Sequence, residues 1–327
     1  MSQLTKAAIT ALILGPTGAA WASEAPEVDL SGLLYAHYGY ALQEQAEGAN
    51  EFDLDRVYLT ARSGLGKGFS TRITTDVGRT GSGDDTKLRP FLKYAYLQSK
   101  LNDSYSLRFG ASGTAWCGQY DSFWGHRFLA KSFADGHKLL STSDLGVQAL
   151  GKHMDGLLSW QAGVINGDGY GAPEVSSTKA AQARLTVDPL SSSADLKLPI
   201  SAFISQDILV APGEQGTQTL AAAVGMKSEL LLLWTEVLTQ RTGDAAAAGA
   251  SASAIATAGE LGNLVVRYDH FDPDTSAEDD ATATLIGAVS KDIHAGISAS
   301  LSYERATPQG DADLVSHGAF VRMQAGF

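Results

Sequence analysis

Ala319-Phe320-Val321-Arg322-Met323-Gln324-Ala325-Gly326-Phe327 closes the chain, and its reading decides the fold. Ala319, Val321, Met323, Ala325 and Phe327 share one parity, while Phe320, Arg322, Gln324 and Gly326 share the other. A period of two places these sets on opposite faces of a strand, one apolar and one mostly polar. A soluble sheet supplies the same alternation. What a soluble sheet rarely does is finish on an exposed aromatic, because free termini usually fray into solvent.

The opposite end carries its own signal. After Lys6 an apolar run extends from Ala7 to Trp21 and ends in Ala20-Trp21-Ala22, the small-x-small pattern of a secretory leader. Residues 1–22 are expected to be removed before Ser23, leaving 23–327 as one exported domain. The run is short for a transmembrane helix, and no later stretch is long and apolar enough to span a bilayer as one. Membrane insertion would therefore require a closed barrel, the other structure that satisfies every backbone group in lipid.

Segments of alternating polarity recur along the chain, separated by breaks rich in Gly, Asp, Asn, Ser or Pro. Strands are expected at 28–42, 51–63, 68–79, 88–99, 104–115, 144–153, 157–166 and 178–188. The second half continues at 197–210, 216–227, 229–242, 249–260, 262–272, 280–291, 294–306 and 314–327. Short breaks such as Gly64 to Lys67 and Leu101 to Asp103 alternate with longer ones such as Gln43 to Asn50 and Thr80 to Lys87. Transmembrane barrels show this rhythm of tight turns at one end and long loops at the other. The reading is an all-β transmembrane antiparallel barrel of about sixteen strands, with a third loop from Trp116 to Ser143 far longer than the rest. Two places resist it: Ala245 to Ala258 is alanine-rich, and the leucines of Leu230 to Trp234 carry no parity.

A last strand of alternating apolar residues ending in Phe327 resembles the C-terminal signature of bacterial outer-membrane barrels, which implies recognition of Phe327 by the barrel-assembly machinery. Ser143-Asp144-Leu145-Gly146-Val147, Gly151-Lys152, Asp155-Gly156 and Asn166-Gly167-Asp168-Gly169-Tyr170 resemble porins related to the phosphate-selective porin group. Phe52-Asp53-Leu54-Asp55-Arg56-Val57-Tyr58-Leu59 is similar to that group's second strand. The resemblance implies an outer-membrane, water-filled channel for small hydrophilic solutes or ions, a homotrimer, and a third loop folded into the pore. Phosphate-specific members carry a lysine-rich fifth loop, and Ala211 to Gln215 holds no lysine here.

Parity then sorts the charges. Val57, Leu59 and Ala61 are expected towards lipid and Arg56, Tyr58, Thr60 and Arg62 towards the lumen. Arg72 and Asp76 follow on the next strand, and Arg89, Lys93, Arg108, Arg184, Arg267 and Arg322 also point inward. A cation on the lipid face near midplane costs about 2–4 kcal/mol, so this parity is physically fixed. With Arg127, Lys131 and Asp121 from the third loop, the expected selectivity set is Arg56, Arg62, Arg72, Arg89, Lys93, Arg108, Arg127, Lys131, Asp76 and Asp121. Such a lumen favours anions. The competing reading makes the arginines struts paired with Asp53, Asp76 or Asp269. Acids such as Glu44, Glu47, Asp84, Asp85, Asp272, Asp274, Glu278, Asp279, Asp280, Asp311 and Asp313 fall in loops, so a net charge of −12 is compatible with a basic lumen.

Tyr35, Tyr38, Tyr40, Tyr94, Tyr96, Tyr105 and Tyr268 read as interface-girdle residues. Trp116, Tyr120, Phe123, Trp124, Phe128 and Phe133 read as packing the third loop against the wall, with a solute-stacking surface as the sharper alternative. Seven histidines show no metal-ligand spacing, and neither GxSxG nor a phosphate-binding glycine loop is present. No metal or cofactor is expected, and the acidic balance argues against nucleic acid. A dispersed hydrolase constellation and a structural anchor stay as alternatives. The single Cys117 excludes an internal disulfide.

Overall fold

The computed structural model describes residues 26–43, 46–79, 87–171, 177–310 and 314–327. The expected leader and Glu44, Asp84, Asp85, Asp311 and Asp313 lie outside them. Sixteen antiparallel strands form one closed barrel in which each pairs with its sequence neighbours and the last returns to the first. They are β1 (Val28–Ala41), β2 (Asn50–Gly66), β3 (Phe69–Arg79), β4 (Leu88–Lys100), β5 (Tyr105–Gly113), β6 (Ser143–His153), β7 (Leu158–Ile165) and β8 (Lys179–Val187). The second half runs β9 (Ile200–Ile208), β10 (Thr217–Lys227), β11 (Leu231–Thr242), β12 (Ala245–Thr257), β13 (Asn263–Asp272), β14 (Thr282–His294), β15 (Ile297–Pro308) and β16 (Ser316–Gly326).

Alternation drives this closure, because strands with an apolar outer face and no free edge satisfy their backbone completely. On β13, Leu264, Val266 and Tyr268 are exposed outward while Val265, Arg267 and Asp269 are buried inward. The seam is completed beyond β16, where Gly32 N–H donates to Phe327 O at 3.0 Å and Phe327 N–H to Gly32 O at 3.1 Å. The Phe327 ring lies across Gly32 so closely that a Cβ there would come within 2.2 Å of Cε1. Glycine at 32 is what lets the terminal ring seat on the outer face.

Two expectations about rhythm fail. β12 begins at Ala245, so the sixth loop shrinks to 243–244, and the alanine run is a strand paired with β11 from Thr242↔Ala245 to Leu231↔Ala256. Small residues gave that strand no hydropathy contrast; its partner specifies it. The leucines at the start of β11 also alternate, Leu232 inward and Leu233 outward. The β8–β9 connection at the turn end is long, covering 188–199. Asp188 Oδ1 accepts from Leu190 and Leu198 N–H, and Lys197 Nζ donates to the Ser191 and Ser193 carbonyls. Strict short-long alternation therefore breaks at both places.

A bulge accounts for the two misread tyrosines of β4. Between β3 and β4, Thr74 pairs with Tyr94 but Thr75 with Leu92, leaving Lys93 as the extra residue. One inserted residue reverses the parity of everything beyond it. Tyr94 and Tyr96 consequently face the lumen. Tyr35, opposite Arg56 and packed on Phe128, faces it too. Tyr38, Tyr40, Tyr105 and Tyr268 keep outward positions.

Candidate functional site: the lumen wall and the third loop

The third loop-end connection, L3 (114–142), carries two short helices, α1 (Cys117–Trp124) and α2 (Phe133–Gly136). Most of its aromatic side chains bind the inner face of the second half of the barrel, while Phe128 packs on Tyr35 of β1. Trp116 Nε1 donates to Glu236 on β11 at 2.9 Å and its ring packs on Phe203 of β9. Tyr120 and Phe123 pack on Trp234 of β11, and Gln119 Nε2 donates to Ser201 Oγ at 2.7 Å. Phe133 is fully buried over Gly249 of β12, where a Cβ would lie 2.3 Å from its Cζ. That glycine is a notch for the ring.

The polar anchor of L3 is Arg267 on β13. Its Nε and Nη2 donate to Asp269, the latter at 2.6 Å, while Nη1 donates to Tyr120 Oη at 3.2 Å and to the Lys131 carbonyl at 2.5 Å. His126 Nδ1–H donates to the Trp124 carbonyl at 3.2 Å, which leaves Nε2 to accept from Ser290 Oγ–H of β14 at 3.0 Å. Burial holds the His126 and His137 imidazoles below their usual pKa of 6.5. Cys117 is wholly buried, and burial pushes its thiol well above the ordinary range.

Within L3, Arg127 bridges Asp121 at 3.2 Å and Asp135 at 2.6 Å. Burial raises the Asp121 carboxyl above the usual carboxylate range, and Arg127 opposes that rise. At the root of L3, Lys93 is buried, donates to Thr142 Oγ1, and has the Tyr170 ring 3.6 Å from Nζ. Asp144 ties the next loop to that root. Its Oδ2 accepts from Gly167 N–H at 2.8 Å and Gly169 N–H at 3.2 Å, and Tyr170 N–H donates to the Ser143 carbonyl at 3.1 Å. The two sequence motifs around 143–146 and 166–170 thus form one clamp.

The expected selectivity residues separate into groups. Arg56 is 9 % exposed and lies 3.5 Å from Asp76, whose Oδ1 also accepts from Val57 and Val77 N–H. Arg56, Asp76, Arg127 and Lys131 line a loop-end cavity of about 1310 Å³, in which Arg79 pairs with Asp53 at 2.7 Å. Asp121 serves Arg127, and Arg89 stands exposed on β4 opposite Gly78. Lys93, expected on the lumen surface, is instead a buried strut of L3.

Arg62, Arg72 and Arg108 differ. None has a carboxylate within ion-pair distance among the described residues, and each leans on a neutral group: Ser31, Thr74 and Gln98 respectively. Arg62 and Arg72 line a second cavity of about 790 Å³ at the turn end, together with Tyr96, Gln98, Glu27 and Asp29. Sequence reasoning missed Tyr94 and Tyr96 here, because Leu92-Lys93-Tyr94 alternates as a regular strand would and carries no mark of the bulge. Among the described residues no grouping of three or more His, Cys, Asp or Glu is placed to hold a metal.

Closed sixteen-strand topology with an inward-packed L3 invites comparison with solved barrels. OmpF of Salmonella typhi, solved in complex with daunomycin, superposes with a TM-score of 0.65 at 9% identity over 92% of this chain and 98% of that one. In fold, the chain resembles bacterial outer-membrane porins. The anion-selective porin from Comamonas acidovorans gives a TM-score of 0.62 at 14% identity, covering 93% of this chain and all of that one. OmpT, an outer-membrane protein of Vibrio cholerae, gives 0.60 at 12% identity over 93% and 99%. No protein-family model matches the sequence, and no curated protein is similar to it. These porin-like barrels share architecture with the chain at identities where side chains have diverged.

Proposed function

We propose that the protein is an outer-membrane porin, not an enzyme, passing small hydrophilic solutes with a preference for anions. The observation that carries this is the division of the lumen. L3 is anchored to β9–β14, and the facing wall of β2–β5 presents Arg62, Arg72 and Arg108 with no carboxylate in ion-pair distance among the described residues. In this reading L3 sets the pore width and the three arginines set the field, while Arg56 and Arg127 are largely neutralised by their acids. At about 5 Å in water, with a screening length near 8 Å, one arginine is worth about 0.4 kcal/mol, roughly a twofold rise in local chloride. Glu27 and Asp29 on the same cavity temper this, which fits a preference and not strict selection. Ala211 to Gln215 lacks lysine, so we assign general small-anion passage in preference to phosphate specificity. The reading extends to a cleaved leader at 1–22, insertion by the barrel-assembly machinery through Phe327, and a homotrimer.

The reversal potential in a planar bilayer under a KCl gradient tests it. Stepwise conductance with chloride preferred is expected, and changing Arg72 and Arg108 together to Ala should move the potential towards potassium. An unchanged potential removes those residues from the mechanism; absence of any conductance sinks the porin reading.

A further inference from the structure

The lumen face of β2–β5 interleaves guanidinium and phenol groups. Arg108 Cζ stands 5.2 Å from the Tyr96 ring centre, Arg72 Cζ 4.3 Å from Tyr94, and Arg56 Cζ 4.6 Å from Tyr58. Arg72 Nε donates to Thr74 Oγ1 at 2.9 Å and Arg108 Nε to Gln98 Oε1 at 2.8 Å. Each tether fixes the plane of the guanidinium and leaves its terminal nitrogens without a partner among the described residues. Arg62 and Arg72 are direct cross-strand partners, and Arg72 is also paired in register with Tyr96. Like charges directly opposite destabilise a sheet. Asp29 is the register partner of Arg62 on its other side and offsets part of that repulsion, while Arg72 has Tyr96 on its other side, so an anion in the cavity relieves the wall chiefly at Arg72.

We propose that Arg62, Arg72, Arg108, Tyr94 and Tyr96 form a transit site for aromatic carboxylates of the benzoate type. The carboxylate takes the free fork of Arg72 or Arg108, a geometry the planar guanidinium matches with two parallel hydrogen bonds. The ring then meets Tyr96 edge-to-face or offset, with its own face open to the neighbouring guanidinium. A simple inorganic anion uses the forks and leaves the tyrosines idle. A neutral sugar needs acceptors facing its hydroxyls and gains little from three cations. The site explains why the phenols occupy the lumen while the large L3 aromatics are spent on packing.

The proposal rests on the porin reading, and the experiment separates the two. Purified protein in planar bilayers carrying KCl is exposed to benzoate or cyclohexanecarboxylate, which share a carboxylate and nearly share size but differ in their π system. Benzoate should interrupt single-channel current with dwell times roughly two- to tenfold longer than cyclohexanecarboxylate, the range of an aromatic pair. In Tyr96→Leu, and in Tyr94→Leu/Tyr96→Leu where it folds, that ratio should fall to about one. Equal dwell times in the unaltered protein, or a ratio untouched by Tyr96→Leu, overturns the aromatic site while leaving the porin reading intact. No conductance in KCl alone overturns both.

Discussion

Replacing Arg267 by Met should release L3 from the wall, and the chain contains its own reporter of that event. Arg267 and Asp269 are both buried, and the guanidinium also holds Tyr120 Oη and the Lys131 carbonyl of L3. Removing one partner of a buried pair costs about 3–5 kcal/mol, because Asp269 is left charged and unpaired, and at about 1.4 kcal/mol per tenfold this multiplies the undocked population roughly 100- to 4,000-fold. Cys117 is 0% exposed on α1 and is the only cysteine in the chain, so a maleimide reaches it only when L3 opens. When opening is fast relative to labelling, the labelling rate is proportional to the open population. Arg267→Met should therefore accelerate Cys117 labelling by two to three orders of magnitude and add noise to the open-channel current. Arg267→Met/Asp269→Leu removes the stranded charge and leaves only the two lost L3 hydrogen bonds, about 2 kcal/mol or roughly 30-fold. Labelling of Arg267→Met at the unaltered rate would refute the anchoring role of Arg267. Equal rates in the single and double variants would refute the stranded-charge component.

Gly249→Val should lift Phe133 from its notch, since even the Cβ would sit 2.3 Å from its ring, and the displaced α2 should lower single-channel conductance. The same Cβ would also come within 2.7 Å of the His270 carbonyl on β13, so heat-modifiable migration on gels is the control that the barrel still closes, and Phe133→Ala separates loss of the notch contact from strain in the ladder. Acidification should loosen L3. His126 and His137 have docked pKa values depressed by burial, so docking is fully stable above 6.5 and weakens as pH falls through the depressed values. Cys117 labelling, normalised to the denatured chain at each pH, should rise between pH 7 and pH 5. Phe133→Ala should increase the same labelling by about two to three orders of magnitude, the cost of deleting a buried phenylalanine being about 3–5 kcal/mol.

The closing strand was legible because its two faces differ in the one property that periodicity reads, and the same held for β2, β3 and β13. β12 was not, since Ala246 to Ala254 offers small side chains on both faces, and the ladders to β11 and β13 are what distinguish strand from loop. Tyr94 and Tyr96 were misplaced for a different reason. A bulge adds one residue on one strand, and its position is set by the neighbour β3, whose sequence lies some twenty residues earlier.

Charge pairing was the harder matter. Parity shows that Arg56 and Arg62 both point inward, but pairing depends on which carboxylate the barrel brings round. Asp76 reaches Arg56 across β2 and β3, whereas Arg62 has Asp29 opposite it in register but outside ion-pair distance, and no carboxylate among the described residues ion-pairs with Arg72. The anchors of L3 are more distant still: Trp116 meets Glu236, and Lys131 meets Arg267, each across more than a hundred residues. Such contacts follow from angular position around a closed sheet, which depends on strand count and stagger together. Closure thus separates inward cations into struts and free groups, and only the free ones can act on a passing solute. The residues to alter first are therefore Arg62, Arg72 and Arg108, which have no carboxylate in ion-pair distance among the described residues, because changing Arg56 or Arg127 would strand Asp76 or Asp135 and confound selectivity with loss of structure.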